Sequence, residues 1–94
     1  MKYKIALAQL AFQRGDPEGN YQLAEDAVRQ AAAGEAELIL LPELWASGFD
    51  LENAGDYASG IDQGWFRKMS FLASDNKIAL GGSLIENTRC MTKV

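Results

Sequence analysis

The sequence has no histidine and a single cysteine, and both facts restrict the chemistry that it can support. Without histidine, these 94 residues cannot form a Ser-His-Asp or Cys-His nucleophile pair, or a zinc site that uses imidazole. Cys90 alone cannot form an internal disulfide, which fits a reducing compartment. No window approaches the roughly 20 apolar residues that a membrane-spanning helix needs. We therefore expect a cytoplasmic protein without membrane contact.

Basic residues are also few, and they are scattered along the chain. Nine lysines and arginines stand against 13 acidic residues, which gives a net charge of −4. Because nucleic-acid binding depends on a basic patch or stripe, we expect no nucleic-acid partner. The hydrophobic fraction of 48% is typical of a folded protein, and a chain of this length forms at most one small domain.

Strand and helix patterns alternate along the chain. In "KYKIALAQL", residues 2–10, bulky and small side chains alternate, which predicts a strand with one bulky and one small face. Asp16 followed by Pro17 predicts a helix start, because aspartate caps free N–H groups and proline is tolerated in the first turn. An alanine-rich stripe follows, and Gly34 occupies the position where a left-handed helix cap is expected.

Two more strands and one more helix are predicted in the second half of the chain. The apolar run 37–42, "ELILLP", is typical of a strand covered on both faces, and Pro42 ends it. Asp62 is the predicted N-cap of a helix that ends near Asn76, and residues 77–86, "KIALGGSLIE", form the third predicted strand. This order favours a mainly parallel α/β sheet, with a long loop over residues 43–62.

Glu43 follows Pro42 directly, at the edge of the sheet where ligands bind in such folds. One interpretation is a carboxylate that reaches solvent or accepts backbone N–H groups. The other is a general base, because the apolar neighbours Leu41, Leu44 and Trp45 would penalise its charged form and favour proton uptake. The position alone leaves both interpretations open.

The aromatic and acidic residues that follow Glu43 also have two interpretations. Trp45 and Phe49 are candidates for the wall of a substrate pocket, and core packing is an equally good explanation for them. Asp50, Glu52 and Asp56 are expected to form a solvated acidic loop, since their spacing does not converge on a metal ion. We expect no metal and no cofactor.

Residues 36–50, "AELILLPELWASGFD", closely resemble a characteristic block of the nitrilase superfamily, the carbon-nitrogen hydrolases. Three further segments resemble that family in the same order: "KIALAQL" its first strand, "GDPEGN" its entry to the first helix with Asn20 in place, and "KIALGGSLIE" a later strand. The resemblance covers residues 3–86, while residues 87–94 form an atypical tail.

The resemblance implies an α/β fold: the N-terminal part of a four-layer α-β-β-α sandwich, with about three strands and two helices present. Residues 1–94 would form an incomplete carbon-nitrogen hydrolase domain. The family uses a Glu, a Lys and a Cys to hydrolyse non-peptide carbon-nitrogen bonds of a small amide or nitrile. Glu43 matches the family's general base, whereas Cys90 and Lys93 match neither partner in order or in flanking residues.

We therefore expect an amidase-like chain that carries only the base and is inactive alone. Amidases are favoured over nitrilases only because they are the broader part of the family. The alternative is a non-catalytic α/β interaction module, or a degenerate relic of the family, that pairs with another chain. In either case, a bare sheet face would favour a homo-oligomer or other association through that face.

Overall fold

Three short parallel strands form the sheet of this chain, in the order β1-β2-β3. The structure is a computed structural model, and it describes residues 3–87. The elements follow one another as β1 (Ile5–Leu7), α1 (Pro17–Ala33), β2 (Leu38–Leu40), a 3₁₀ turn (Leu51–Asn53), α2 (Ala54–Tyr57), α3 (Gly64–Asn76) and β3 (Ala79–Gly81). The predicted parallel α/β architecture is confirmed.

The start of α1 agrees with the sequence prediction. Asp16 is the N-cap, its Oδ1 accepts the N–H of Gly19 at 3.1 Å, and Pro17 is the first helical residue. An N–H group in the first turn of a helix has no partner within the helix. Proline, which has no N–H, therefore costs no hydrogen bond at this position.

The end of α1 differs from the prediction at Gly34. This glycine has a φ of −83°, and the left-handed residue is Glu35, with a φ of 63°. The N–H of Glu35 bonds to the carbonyl of Ala32 and that of Ala36 to the carbonyl of Ala31. This pair of bonds is the Schellman motif, which places its left-handed residue one position later than we predicted and here uses a glutamate instead of glycine.

The start of α3 also differs from the prediction. The N-cap is Gln63, and Asp62 lies within a turn closed by the N–H of Gln63 on the carbonyl of Gly60. The predicted end near Asn76 is confirmed. Left-handed Lys77 follows it, and the N–H of Ile78 bonds to the carbonyl of Ala73, so α3 ends in the same motif as α1.

The segment predicted as one long loop, residues 43–62, contains structure of its own. A 3₁₀ turn and the four-residue helix α2 lie within it, so the structure has one more helix than the two predicted. Ser59 and Glu86 also pair as an isolated parallel bridge beyond β3. These pieces are too short for a recognisable hydrophobic period.

The core lies on one face of the sheet, between the strands and the two long helices. Ala24 and Val28 of α1 pack with Ile39 of β2 and Leu72 of α3, and each of them is at most 3% exposed. The alanine-rich stripe of α1 lets the helix approach the sheet closely.

The other face of the sheet is open. Tyr3, Ile5 and Leu7 are 67%, 56% and 65% exposed, and Leu40 of β2 is 40% exposed. The run 37–42 predicted a strand covered on both faces, and within residues 3–87 only one face is covered. None of the helices in this part of the chain is long and apolar enough to cross a membrane.

Candidate functional site

Glu43 lies where the sequence predicted it, just past the carboxyl end of the central strand. β2 ends at Leu40, Leu41 continues its ladder by donating its N–H to the carbonyl of Gly81 at 2.8 Å, and Pro42 then ends the pairing. The side chain of Glu43 is exposed. The apolar shielding expected around this carboxylate is therefore not provided by residues 3–87, and its carboxylate is accessible to another group.

A cleft of about 260 Å³ opens at this edge of the sheet and brings the three predicted site residues together. Its walls are residues 10–12, which follow β1, and residues 42–45 and 48–49, which follow β2. Glu43, Trp45 and Phe49 all line it. Two neighbouring parallel strands therefore contribute the loops that form the cleft, as expected at the carboxyl edge of such a sheet.

Trp45 is at once a core residue and a wall of the cleft. It is fully buried, and its ring lies 6.2 Å from that of Phe12 and 6.4 Å from those of Tyr21 and Trp65. Its Nε1 is buried without a hydrogen-bond partner among the described residues. The core interpretation of Trp45 is thus supported, and the rigid packing fixes this side of the cleft.

Unlike Trp45, Phe49 is not a core residue. Its side chain is 49% exposed and its backbone is left-handed, with a φ of 67°. Gly48 before it also has a positive φ, and a Cβ at that position would collide with the carbonyl of Gln13. The close approach of these two loops therefore requires glycine at position 48 and turns Phe49 toward the cleft.

Asn20 joins the loops that surround the cleft. Its fully buried amide donates to the carbonyls of Gln13 at 2.7 Å and Ala46 at 2.9 Å, and it accepts the N–H of Gln13 at 2.6 Å. In the sequence, the only signal at Asn20 is its place in the segment "GDPEGN", which resembles the family's entry to the first helix. Because it satisfies three backbone groups, its role is to fix the two loops against each other.

The prediction of a solvated acidic loop is wrong for Asp50. It is only 4% exposed, and its carboxylate accepts hydrogen bonds from Asn53 at 2.9 Å, Tyr57 at 2.8 Å and Arg14 at 3.3 Å. The bonds from Asn53, Tyr57 and Arg14 hold the pKa of Asp50 below its ordinary value against the opposing effect of desolvation. Glu52 is exposed as predicted.

The pKa of Tyr57 shifts in the opposite direction from that of Asp50. Its hydrogen bond to Asp50, with a contribution from desolvation, raises the pKa of Tyr57 above its ordinary value. The hydrogen bond between Tyr57 and Asp50 also holds α2 against the residue that follows Phe49. Arg14, from the loop before α1, completes this polar cluster.

Leu44 and Ser83 form a contact that sequence reasoning missed. Leu44 is left-handed, with a φ of 49°, and its N–H donates to the hydroxyl oxygen of Ser83 at 2.9 Å. Its carbonyl accepts the hydroxyl of Ser47 and the N–H of Phe49, both at 3.3 Å. The residue directly after Glu43 is thus held on both sides of its backbone.

The other residues that the sequence singled out do not add to this site. Cys90 and Lys93 lie outside the described residues. Within residues 3–87, no three acidic side chains converge in a way that could hold a metal ion. What the described cleft offers chemically is one accessible carboxylate beside a rigid aromatic wall.

Comparison with known proteins shows the family of this chain. A sequence model of the family described as "Carbon-nitrogen hydrolase" matches residues 4–92. The chain therefore belongs to the carbon-nitrogen hydrolase family, and its sheet and helices are part of the nitrilase-like fold.

Three curated relatives illustrate the range of this similarity. A chloroplastic omega-amidase of Arabidopsis thaliana is 38% identical over 63 residues, 67% of this chain and 17% of the relative. A 2-oxoglutaramate amidase of Bacillus subtilis is 32% identical over 71 residues, 72% of this chain and 27% of the relative. A nitrilase of Pyrococcus abyssi is 37% identical over 49 residues, 52% of this chain and 19% of the relative. The chain thus spans about a quarter or less of the length of these proteins.

Proposed function

We propose that this chain carries the general base of an amidase, and that the base is Glu43. The observation that supports the proposal most directly is the exposed carboxylate in a cleft at the carboxyl edge of the parallel sheet. A proton acceptor must be within reach of the group that it deprotonates, and this position leaves Glu43 open to a thiol presented from outside the described residues.

In the proposed reaction, Glu43 takes the proton of a cysteine thiol as the sulfur attacks the amide carbon. A lysine stabilises the oxyanion of the tetrahedral intermediate. The carbon-nitrogen bond then breaks, and the proton leaves with ammonia, which produces a thioester. Water attacks the thioester with Glu43 again as proton acceptor, and the acid and the free thiol are released.

An amide is the proposed substrate class rather than a nitrile. Two of the three relatives described above are named for amide hydrolysis, and one of those names specifies 2-oxoglutaramate. Trp45 and Phe49 would form the apolar walls against which the carbon chain of a small amide packs. No cofactor takes part in this scheme.

The chain of 94 residues should be inactive by itself. A lone general base contributes about 10²- to 10⁴-fold, whereas enzymes reach about 10⁶-fold or more. Residues 3–87 contain no cysteine, so the nucleophile must come from chain beyond them or from a partner, and we propose the same origin for the lysine.

The test is amide hydrolysis by the longest reading frame in which these residues lie. With 2-oxoglutaramate as substrate, ammonia release should fall by at least about 10²-fold in Glu43→Gln. The matched control is Glu37→Gln, the same change at the exposed residue before β2, which should stay within about twofold of the unchanged protein. Full activity in Glu43→Gln would remove Glu43 from the mechanism.

A second candidate function is a non-catalytic module that pairs with a longer homologous chain. The open sheet face, with Ile5, Leu7 and Leu40 exposed, favours this alternative. It requires a stable 1:1 complex with the homologous chain and no amide hydrolysis that depends on Glu43. Hydrolysis that depends on Glu43 would exclude it.

A further inference from the structure

The segment Gly81-Gly82-Ser83 runs beside the turn that follows β2. Gly81 accepts the N–H of Leu41, which continues the pairing of the two strands. A Cβ at Gly82 would lie 3.2 Å from both Trp45 and Met69, so a side chain there would press on the core. Glycine at position 82 therefore lets this segment lie close enough to bring Ser83 against the turn.

The turn itself has a backbone conformation that needs support. Leu44 has a φ of 49°, in the left-handed region that residues other than glycine rarely occupy. Ser83 accepts its N–H at 2.9 Å, and this bond joins residues 39 positions apart. Such a conformation persists only where the surrounding structure fixes it.

We infer that Ser83 is a positioning residue for Glu43. The N–H that Ser83 holds belongs to the peptide group between Glu43 and Leu44. Because a peptide group is planar, holding that N–H also holds the carbonyl carbon and the Cα of Glu43 that lie in the same plane, and so restricts the point from which the Glu43 side chain starts. Ser83 lies beside the turn without lining the cleft, so it acts on the carboxylate only through the backbone.

This inference rests on the proposed role of Glu43 for its functional meaning, while the backbone effect can be measured separately. Three variants are needed. Ser83→Ala removes the acceptor, Ser83→Thr keeps a hydroxyl, and Ser70→Ala makes the same change on the exposed surface of α3.

The first measurement is amide hydrogen exchange in this chain. In Ser83→Ala the Leu44 amide should exchange about 3- to 10-fold faster, the fold-change expected for one lost hydrogen bond. Ile39, in the middle of the sheet, should keep its rate, and Ser83→Thr and Ser70→Ala should leave both amides unchanged. Equal acceleration at Leu44 and Ile39 would mean a general loss of stability and would overturn the inference, as would no change at Leu44.

The second measurement is kinetic, in the longest reading frame that contains these residues. Ser83→Ala should lower kcat by about 10-fold or more with little change in KM, because a misplaced base slows the reaction more than it weakens binding. Ser83→Thr should restore kcat. If Glu43→Gln abolishes hydrolysis but Ser83→Ala leaves kcat unchanged, the inference fails and the proposed function stands. If Glu43→Gln is fully active, the proposed function fails, and with it the positioning role toward a catalytic base.

Discussion

The two faces of the sheet come from alternate residues of the same strands, yet they differ completely in their surroundings. On one face Ile39 is 1% exposed beneath α1 and α3, while on the other Ile5 is 56% exposed. Both faces carry apolar side chains. An apolar strand pattern therefore does not reveal which face is covered, and the helices within residues 3–87 cover only one of the two.

The largest expected effect is the difference in stability loss when each of these two isoleucines is replaced by alanine. Ile39→Ala should lower the free energy of unfolding by about 2–5 kcal/mol, since it leaves a cavity in a closely packed core. Ile5→Ala should cost less than about 0.5 kcal/mol, because its side chain already contacts water. Urea denaturation of both variants, at protein concentrations low enough to keep the chain monomeric, measures the difference. Similar losses under those conditions would show that the open face is covered within the monomer.

An intermediate effect is expected on association. The exposed apolar face should make this chain associate with itself, and Leu7→Lys should weaken that association by about 10-fold or more by placing a charge on the buried side of the contact. Analytical ultracentrifugation over a range of concentrations measures it.

Leu23→Lys provides the control for association. Leu23 is 37% exposed on α1, away from the open face, so its replacement should leave the association constant unchanged. A chain that stays monomeric without either substitution, with a sharp cooperative unfolding transition, would contradict the prediction.

The smallest effect concerns the polar cluster around Asp50, which joins the loop before α1 to the 3₁₀ turn and α2. Hydrogen bonding lowers the pKa of Asp50 in the folded state. The ionised carboxylate therefore stabilises the fold fully above the pKa of the unfolded chain, from about pH 5 upward. This contribution to the free energy of unfolding is lost as the pH falls through the pKa of the folded chain. Asp50→Asn should therefore flatten the loss of stability between neutral and acidic pH.

Urea denaturation at several pH values between 6 and about 2.5 tests this dependence. The matched control is Asp56→Asn, which changes an exposed aspartate of α2 and should leave the slope unchanged. An equal slope in Asp50→Asn and the unchanged chain would show that the cluster around Asp50 does not stabilise the ionised carboxylate.

Local chemistry accounts for the elements that could be predicted. Asp16 and Pro17 start α1 as expected because a cap needs only the next few residues. The predictions at Gly34 and Asp62 were wrong by one position, because Glu35 takes the left-handed conformation and a turn encloses Asp62. The choice among such neighbouring alternatives depends on how each helix meets the sheet.

In the candidate site, too, a residue's position was predicted correctly where the signal was local in the sequence. Glu43 could be placed at the sheet edge because strand, proline and acid follow one another directly in the sequence. Asp50 was expected in solvent and is buried, and one of its three partners, Arg14, lies 36 positions away in the sequence. Ser83 carried no signal at all, because a serine after two glycines does not reveal which backbone group it will meet.

The sequence by itself determined the alternation of strands and helices, the membership in the family and the position of Glu43 at the end of a strand. Only the tertiary structure decided which sheet face is covered, that Phe49 lines the cleft, and that Ser83 holds the turn after Glu43. The physical reason is distance along the chain. Caps, turns and periodicity depend on neighbouring residues, whereas the bond between Leu44 and Ser83 joins residues 39 positions apart and exists only when the packed sheet brings them together.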